Sequence, residues 1–432
     1  MTTNKRLRLD EVERRVCDIT SDQLGIRRDR VSPSDRIIED LHCDSLDQVE
    51  LLMEVEEAFD VTIPEKAPNF VVKAVFTRQP FRLADLAELV YLQQGTGAPD
   101  RKDWRRAKEP VPSESTLPFT QLDGRWEKSA EGRLRLWEPL DVPGPVVQYR
   151  RRSDGMRCLR IPGADVTIGS DSPGAFSDER PSHSVRLDSF LIDAEPVSTT
   201  AYCRFLNSVG GVAHEVYADW FVLAPEDRRN GHAVIEREGS GWRPVSGAER
   251  WPMILVSWYG ANAYSLWANG EDWRHYRGDH SGGPESYLPT EAQWEYAARG
   301  ARYQEFPWGD EPASPDRMRY ARHYRGASYR AETLPMADVN VILGMSPFGL
   351  HHMAGNVWQW CRDWYDEVFY ARPEATVPNP VNRTPGKVRS ERGGSWIGPA
   401  DLCRSSFRRG RPPVARGRCL GFRCVSPVPM NS

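Results

Sequence analysis

Nothing in these 432 residues stays apolar for long. No run approaches the roughly 18 apolar residues that a membrane helix needs, so no membrane span is expected. The opening MTTNKRLRLDEVERR is charged and has no apolar centre, which argues against a secretory signal and makes a cytoplasmic location the expectation. An excess of positive charge is also missing. The chain has 57 Lys and Arg against 61 Asp and Glu, a net charge of −4, and a mean hydropathy of −0.60. Charge alone therefore gives no reason to expect a nucleic-acid partner. Cysteine occurs eight times, with no CxxC pair and no zinc spacing. Buried free thiols are the plain expectation. Tryptophan is absent from the first hundred residues, and all 15 copies come later. The two parts of the chain are thus different kinds of protein, and the length suits two domains.

Residues 1–94 read as helices joined by polar loops. In LRLDEVERRVCDITSDQLG, Leu9, Val12, Val16, Ile19 and Leu24 recur at helical spacing, and Gly25 ends the run. A second helix begins at Ser45. Leu46, Val49 and Met53 form one face. Asp47, Glu50, Glu54 and Glu57 form another, at spacings of three, four and three. No Lys or Arg occurs between Glu39 and Asp60. A serine that opens a helix after a loop presents its hydroxyl to solvent, or simply caps the helix. An acidic face suits docking to basic partner surfaces, or is simply solvated.

Taken in order, Glu39-Asp40-Leu41, Asp44-Ser45-Leu46, Val49-Glu50-Leu51, Glu56-Glu57-Ala58-Phe59 and Ile63-Pro64 resemble acyl carrier proteins. The resemblance implies an all-α four-helix bundle with 4′-phosphopantetheine attached at Ser45. It implies docking through Asp44, Leu46, Asp47, Glu50 and Glu54. The implied partners are a phosphopantetheinyl transferase, an enzyme that loads an acyl or aminoacyl group, and other biosynthetic enzymes that dock on the acidic helix. The stretch APNFVVKAVFTRQPFRLADLAELVYL is longer than usual before the last helix, which leaves the pairing of the third and fourth helices open. Residues 95–145 are rich in Pro, Gly, Ser and charge, without an apolar period, and read as a linker.

Residues 146–432 alternate short apolar runs with many turns. MRCLRIPGADVTIGS reads as strand, tight turn and strand, and HSVRLDSFLIDAEPVS as another pair. TTAYCRFLNSVG reads as a helix with a Thr cap, and WPMILVSWYGANAYSLWANG as a short strand and a helix. In LPTEAQWEYAARG, Thr290 and Gln293 make a capping box. The blocks IPGADVTIGSD, ERPSHSVRLDSFLIDAEPVSTTAYCRFLN, PMILVSWYGANAYSLWA, YLPTEAQWEYAARG, FPWGDE, PFGLHHMAGNVWQWCRDWY, RGGSW and GFRCV, in this order, resemble the formylglycine-generating enzyme superfamily. The implied fold is α+β, loop-rich and C-type-lectin-like. The fused protein is then expected to be a natural-product tailoring oxidoreductase that modifies a carrier-bound thioester. The alternative is a non-catalytic docking or ligand-binding module.

In the resembling oxidases, two cysteines that follow Arg-Gly-Gly-Ser bind copper(I). Here the matching positions are Gly398 and Cys403, so one thiolate is missing. Formylglycine generation is accordingly the least favoured activity. Relatives also carry a calcium site whose matching positions are His352, Gly355, Val357 and Gln359. Histidine and a neutral amide suit calcium poorly. The candidate catalytic or metal-binding residues are Cys403, His351, His352, Ser395 and Trp358, with copper or iron as the metal. His183 or His323 with Asp363 or Asp366 would extend an iron site. The tail arginines, Arg404 to Arg423, either pair with buried carboxylates or face an anion.

Overall fold

The computed structural model describes residues 7–24, 26–37, 40–41, 45–59, 61, 63, 81–93, 136–210, 212–222, 233–278, 285–321 and 336–429. Contacts divide the chain into two units, residues 1–126 without 22–25 and a second unit holding 127–432.

The first unit contains α1 (Leu9–Leu24), α2 (Ser45–Phe59) and α3 (Leu83–Gln93) among its described residues. Residues 64–80, where the remaining helix of a four-helix bundle is expected, lie outside them. On α1, Val12, Val16 and Leu24 are buried as the spacing predicts, joined by Cys17 and Thr20, while Leu9 is exposed. The Thr20 hydroxyl donates to the Val16 carbonyl 2.8 Å away, which lets a polar side chain enter the core. Among the described side chains of α2, Leu51 and Val55 are buried, one helical turn apart. This helix contacts α3, on which Leu83, Leu86, Ala87, Leu89 and Val90 are buried.

The second unit is built on two main sheets. One is five-stranded and antiparallel, in the order β1 (Trp137–Leu140), β2 (Gln148–Arg151), β3 (Arg157–Ile161), β6 (Phe190–Asp193) and β13 (Val425–Pro427). Its first strand lies inside the stretch expected to be linker. Leu136 and Trp137 pack with Tyr149, Cys158 and Leu191, so the folded unit already includes residue 136. The second sheet has the order β11 (Arg409–Arg411), β10 (Arg389–Arg392), β9 (Trp358–Trp364) and β12 (Leu420–Gly421), with β9 and β12 parallel. Two small hairpin sheets are formed by β4 (Ala164–Ile168) with β5 (His183–Leu187), and by β7 (Ile235–Glu238) with β8 (Gly241–Pro244).

The two strand–turn–strand readings locate the strands and misplace their partners. β3 and β4 do not pair with each other, nor do β5 and β6. Pro162-Gly163 and Asp188-Ser189 are instead corners where the chain leaves one sheet for another. The corners touch: a Cβ on Gly163 would lie 2.9 Å from the Ser189 amide and 3.0 Å from the Leu187 carbonyl, so only glycine fits.

Among the described residues, the α-helices of this unit are α4 (Thr199–Ser208), α5 (His214–Trp220), α6 (Trp258–Ala268) and α7 (Glu291–Arg299). The cap of α4 is Ser198, not the expected Thr; its side chain accepts from the Ala201 amide. The expected MILV strand forms only isolated bridges, at Pro252 and Val256. Helix α7 starts as its sequence predicts. The Thr290 hydroxyl accepts from the Gln293 amide at 3.1 Å, and the Gln293 side chain accepts from the Thr290 amide at 3.0 Å. Its Trp294, Ala297 and Ala298 join β3, β4, β5, β6 and Cys361 of β9 in one core. No helix among the described residues is long and apolar enough to cross a membrane.

Candidate functional site

Ser45 is the first residue of α2, which places it where the chain enters a helix from a loop. Asp44 and the side chains of Ser45, Leu46, Asp47 and Glu50 lie outside the described residues. Glu54 is partly exposed on the same helix. At the other end of α2, Glu56 accepts from the Ile63 amide at 2.6 Å and so closes the turn before the Ile-Pro pair.

Cys403 ends a short 3₁₀ turn, Ala400–Cys403. The thiol lies in an apolar cluster with Phe306, Met318, Tyr320 and Ala354 and has no exposed surface. The Gly-Gly turn closes over it: a Cβ on Gly394 would meet the sulfur at 2.4 Å. Burial pushes this thiol up to about 12, although the Ser395 and Gly355 amides lie against the sulfur and pull the other way. Its one acceptor is the Pro399 carbonyl, 3.6 Å away. A thiolate is the species that binds copper(I) or attacks an electrophile, and this environment disfavours it. Gly398 has room. A Cβ there would make only ordinary contacts, 3.7 Å from Leu402 and 3.9 Å from the Ser395 hydroxyl. Ser395 is buried, and its hydroxyl has no hydrogen-bond partner. Trp358 is buried too, with Phe407 at 5.8 Å and its indole N–H unpaired. A copper thiolate pair does not fit this donor set, which offers one dry thiol.

His351 and His352 are both buried, with rings 6.4 Å apart and nearly perpendicular. They do not converge on one ion. His352 has a left-handed backbone, φ 56°, and neither ring nitrogen has a hydrogen-bond partner. Burial, then Arg423 and His351, lowers its imidazole to about 3. Burial, then Arg157 and Arg423, lowers His351 to about 4. Both rings are therefore neutral. Gln359 is fully engaged. Its carbonyl oxygen accepts from Arg423 Nε at 2.6 Å and Trp294 Nε1 at 2.9 Å, and its amide donates to the His352 carbonyl at 2.7 Å. The Gly355 backbone is packed against the Arg319 carbonyl, and Val357 is buried. An oxygen that faces two donors does not face a cation, so the four positions do not form a calcium cage.

The histidine–carboxylate iron site is not assembled either. His183 Nδ1 lies 3.0 Å from the Pro181 carbonyl, and its ring packs on Tyr370. Asp363 accepts from the amides of Glu291 and Asn382, and Asp366 pairs with Arg372. His323 lies outside the described residues. Among the described residues, no group of His, Cys, Asp and Glu is placed to hold a metal ion.

The tail arginines mostly brace the fold. Arg404 makes a bidentate pair with Glu179 at 2.6 and 2.8 Å. Arg408 does the same with Glu291 at 2.6 and 2.9 Å. Arg392 bridges Glu291 and Glu295, and Arg411 pairs with Glu391. Burial opposes the Glu291 charge, but Arg408, Arg392 and the Ser390 hydroxyl outweigh it and hold this carboxyl at about 2.

The sequence reading missed a different pair of arginines. The guanidinium of Arg389 is sandwiched between the rings of Trp258 and Trp364, 3.8 and 3.7 Å from their centroids. Arg362 lines the same cavity. The signal was available in β9, where WQWCRDW places Trp358, Trp360, Arg362 and Trp364 on one face by simple alternation.

The sulfatase-modifying factor enzyme 1-like domain family matches residues 145–428. The chain belongs to this family. Residues 14–67 match the phosphopantetheine attachment site family, so a carrier domain is fused to the N-terminal side of the sulfatase-modifying factor enzyme 1-like domain. The formylglycine-generating enzyme of Streptomyces coelicolor is 29% identical over 321 residues, 67% of this chain and 94% of that protein. The serine/threonine-protein kinase Pkn1 of Chlamydia trachomatis serovar L2 is 30% identical over 271 residues, 62% of this chain; the match spans only 38% of that protein's length. The structure of PvdO from Pseudomonas aeruginosa aligns with a TM-score of 0.49 at 21% identity, over 66% of this chain and all of that one.

Proposed function

We propose that this protein works in natural-product biosynthesis. In this reading Ser45 carries 4′-phosphopantetheine and, on it, a thioester-bound acyl or aminoacyl group. The fused C-terminal unit binds the carrier's cargo or partners and does not oxidise them through a copper thiolate pair. The observation that supports the second half is the state of Cys403, a single thiol held at about 12 inside an apolar cluster. The first half is supported by the carrier match at residues 14–67 and by the place of Ser45 at the start of α2. A phosphopantetheinyl transferase and a loading enzyme are the partners this reading requires. A second reading, a tailoring enzyme acting away from Cys403, draws on the polar cavity beside Arg362 and Arg389.

Incubation with coenzyme A and a phosphopantetheinyl transferase should add the mass of one arm to the full chain. Ser45→Ala should add none. Arm addition that persists in that variant would sink the carrier assignment. For the C-terminal unit, the acyl-loaded protein is exposed to oxygen with copper(I) or iron(II). An unchanged cargo mass is expected, and an oxygen-dependent change would replace the binding reading with the tailoring one.

A further inference from the structure

The cavity that holds the Trp–Arg–Trp sandwich encloses about 280 Å³. Four arginines line it: Arg277, Arg362, Arg383 and Arg389. Two of them are neutralised. Arg277 pairs with Asp219, and Arg383 pairs with Glu285. Among the described residues the other two form no ion pair, and Glu285, the carboxylate in the lining, is the one already paired with Arg383. Arg362 makes no side-chain hydrogen bond among the described residues. Arg389 spends only Nη1, which donates to the Arg362 carbonyl at 2.6 Å. Its Nε is buried without a partner, and the residue as a whole is 8% exposed.

The fold keeps this cation in place. Between Arg389 and Glu391 the β9–β10 register shifts, a β-bulge that sets Arg389 opposite Trp364. The two indole rings fix the plane of the guanidinium. The acid nearest in sequence offers little compensation. Burial, then Glu291, raises the Asp363 carboxyl to about 7, and both of its oxygens already accept backbone amides. The cost is visible in the cations themselves. Burial lowers Arg389 to about 10, and burial followed by Arg383 lowers Arg362. A buried charge is normally paired, because leaving it bare is expensive.

We infer that this cavity is a binding site for a phosphate group, free or as a monoester, held by Arg362 and Arg389. Two uncompensated guanidinium groups balance one phosphate dianion, whose charge near neutral pH is about −1.5 to −2. Arginine's planar fork matches phosphate oxygens, and charge-assisted bonds of this kind are the strong ones. The inference does not depend on Ser45 or on the carrier reading.

The test is titration of the full-length protein near neutral pH and at fixed ionic strength, with inorganic phosphate as the probe and acetate as the monoanion. Calorimetry reads binding, and thermal unfolding is followed in parallel. Saturable phosphate binding is expected, with acetate weaker by about tenfold or more. Arg362→Gln should weaken phosphate by about tenfold or more, and Arg389→Lys should weaken it as well. Phosphate should raise the Tm of the wild type and not that of Arg362→Gln. Without phosphate, Arg362→Gln should melt no lower than the wild type, because it removes an unpaired cation. The inference is overturned by any of three results: no saturable phosphate binding, equal binding in both variants, or acetate equal to phosphate. It is also overturned if Arg362→Gln melts well below the wild type in phosphate-free buffer, since Arg362 would then be a brace. Glycerol phosphate, titrated alongside, separates the sources. Tighter binding than inorganic phosphate assigns the site to a monoester, and weaker binding assigns it to the free ion.

Discussion

The second unit gathers arginines in two places and treats them in opposite ways. Beside α7, Arg392 and Arg408 meet Glu291 and Glu295, and each carboxylate has a guanidinium in contact. Across β9, Arg389 meets two indole rings and the Arg362 carbonyl, and among the described residues neither Arg389 nor Arg362 forms an ion pair. The first cluster is complete within the chain and is structural. The second has no ion pair among the described residues, the contrast from which the phosphate inference is drawn. Arginine content alone does not tell these apart; the pairing does.

The largest effect should come from breaking the complete cluster. Glu291→Gln leaves Arg408 and Arg392 facing a neutral amide, and should cost about 3–5 kcal/mol in urea unfolding. The same carboxyl predicts acid sensitivity. Its folded pKa, about 2, lies below its unfolded value of about 4.3, so its contribution is present above the latter and is lost as pH falls toward the former.

A smaller effect tests a buried group that stays neutral. His352 is held at about 3, against about 6.5 when unfolded. The lowered value means that the fold favours the neutral ring. Its contribution is therefore present above about pH 6.5 and is lost on acidification, by up to about 1.4 kcal/mol per pH unit. Asparagine tolerates the left-handed backbone at this position. His352→Asn should accordingly flatten the loss of stability between neutral pH and about pH 4, read from urea midpoints. An unchanged slope would assign that loss to His351 and the carboxylates.

Gly398→Cys should shift stability by less than about 1 kcal/mol, because the added side chain points into open contact distance of Leu402 and Ser395. With thiols at both positions of the pair that the resembling oxidases carry, this variant should take up copper(I) that the wild type does not, measured by chelator competition. Failure to bind would mean that the apolar surroundings, rather than the missing thiol, close the site. The smallest effect, near zero, is that of Arg362→Gln on the phosphate-free protein. A large loss there would collapse the contrast between the two clusters.

Local signals in the sequence were legible where a few neighbouring residues decide the outcome. The Thr290–Gln293 box forms as read, Gly25 follows the last helical residue of α1, and the strands around Pro162 and Asp188 are where their alternation puts them. Their partners were not legible, because strand pairing is decided by long-range packing and a two-residue turn is consistent with both a hairpin and a corner. The serine cap of α4 lies one residue before the threonine that was expected, since either hydroxyl can cap a helix. At the site, the resemblance to the oxidases set Gly398 and Cys403 at their two cysteine positions, and the sequence shows a thiol at only one of them. The fate of Gln359 was not, because its partners Arg423 and Trp294 lie 64 and 65 residues away. Arg362 could have been found from the alternation in β9. Arg389 could not, because it is aligned with Trp364 only across a bulge.

The Gly-Gly turn that closes over Cys403 also turns the molecule into a clock of its own opening. All seven described cysteines are buried and unbridged, and Cys17, Cys203 and Cys403 are held at about 11 to 12. An alkylating reagent added to the native protein finds no thiolate at these positions. Each sulfur becomes reactive only when its surroundings part, so the order of labelling would time the breathing of each unit with no engineered cysteine.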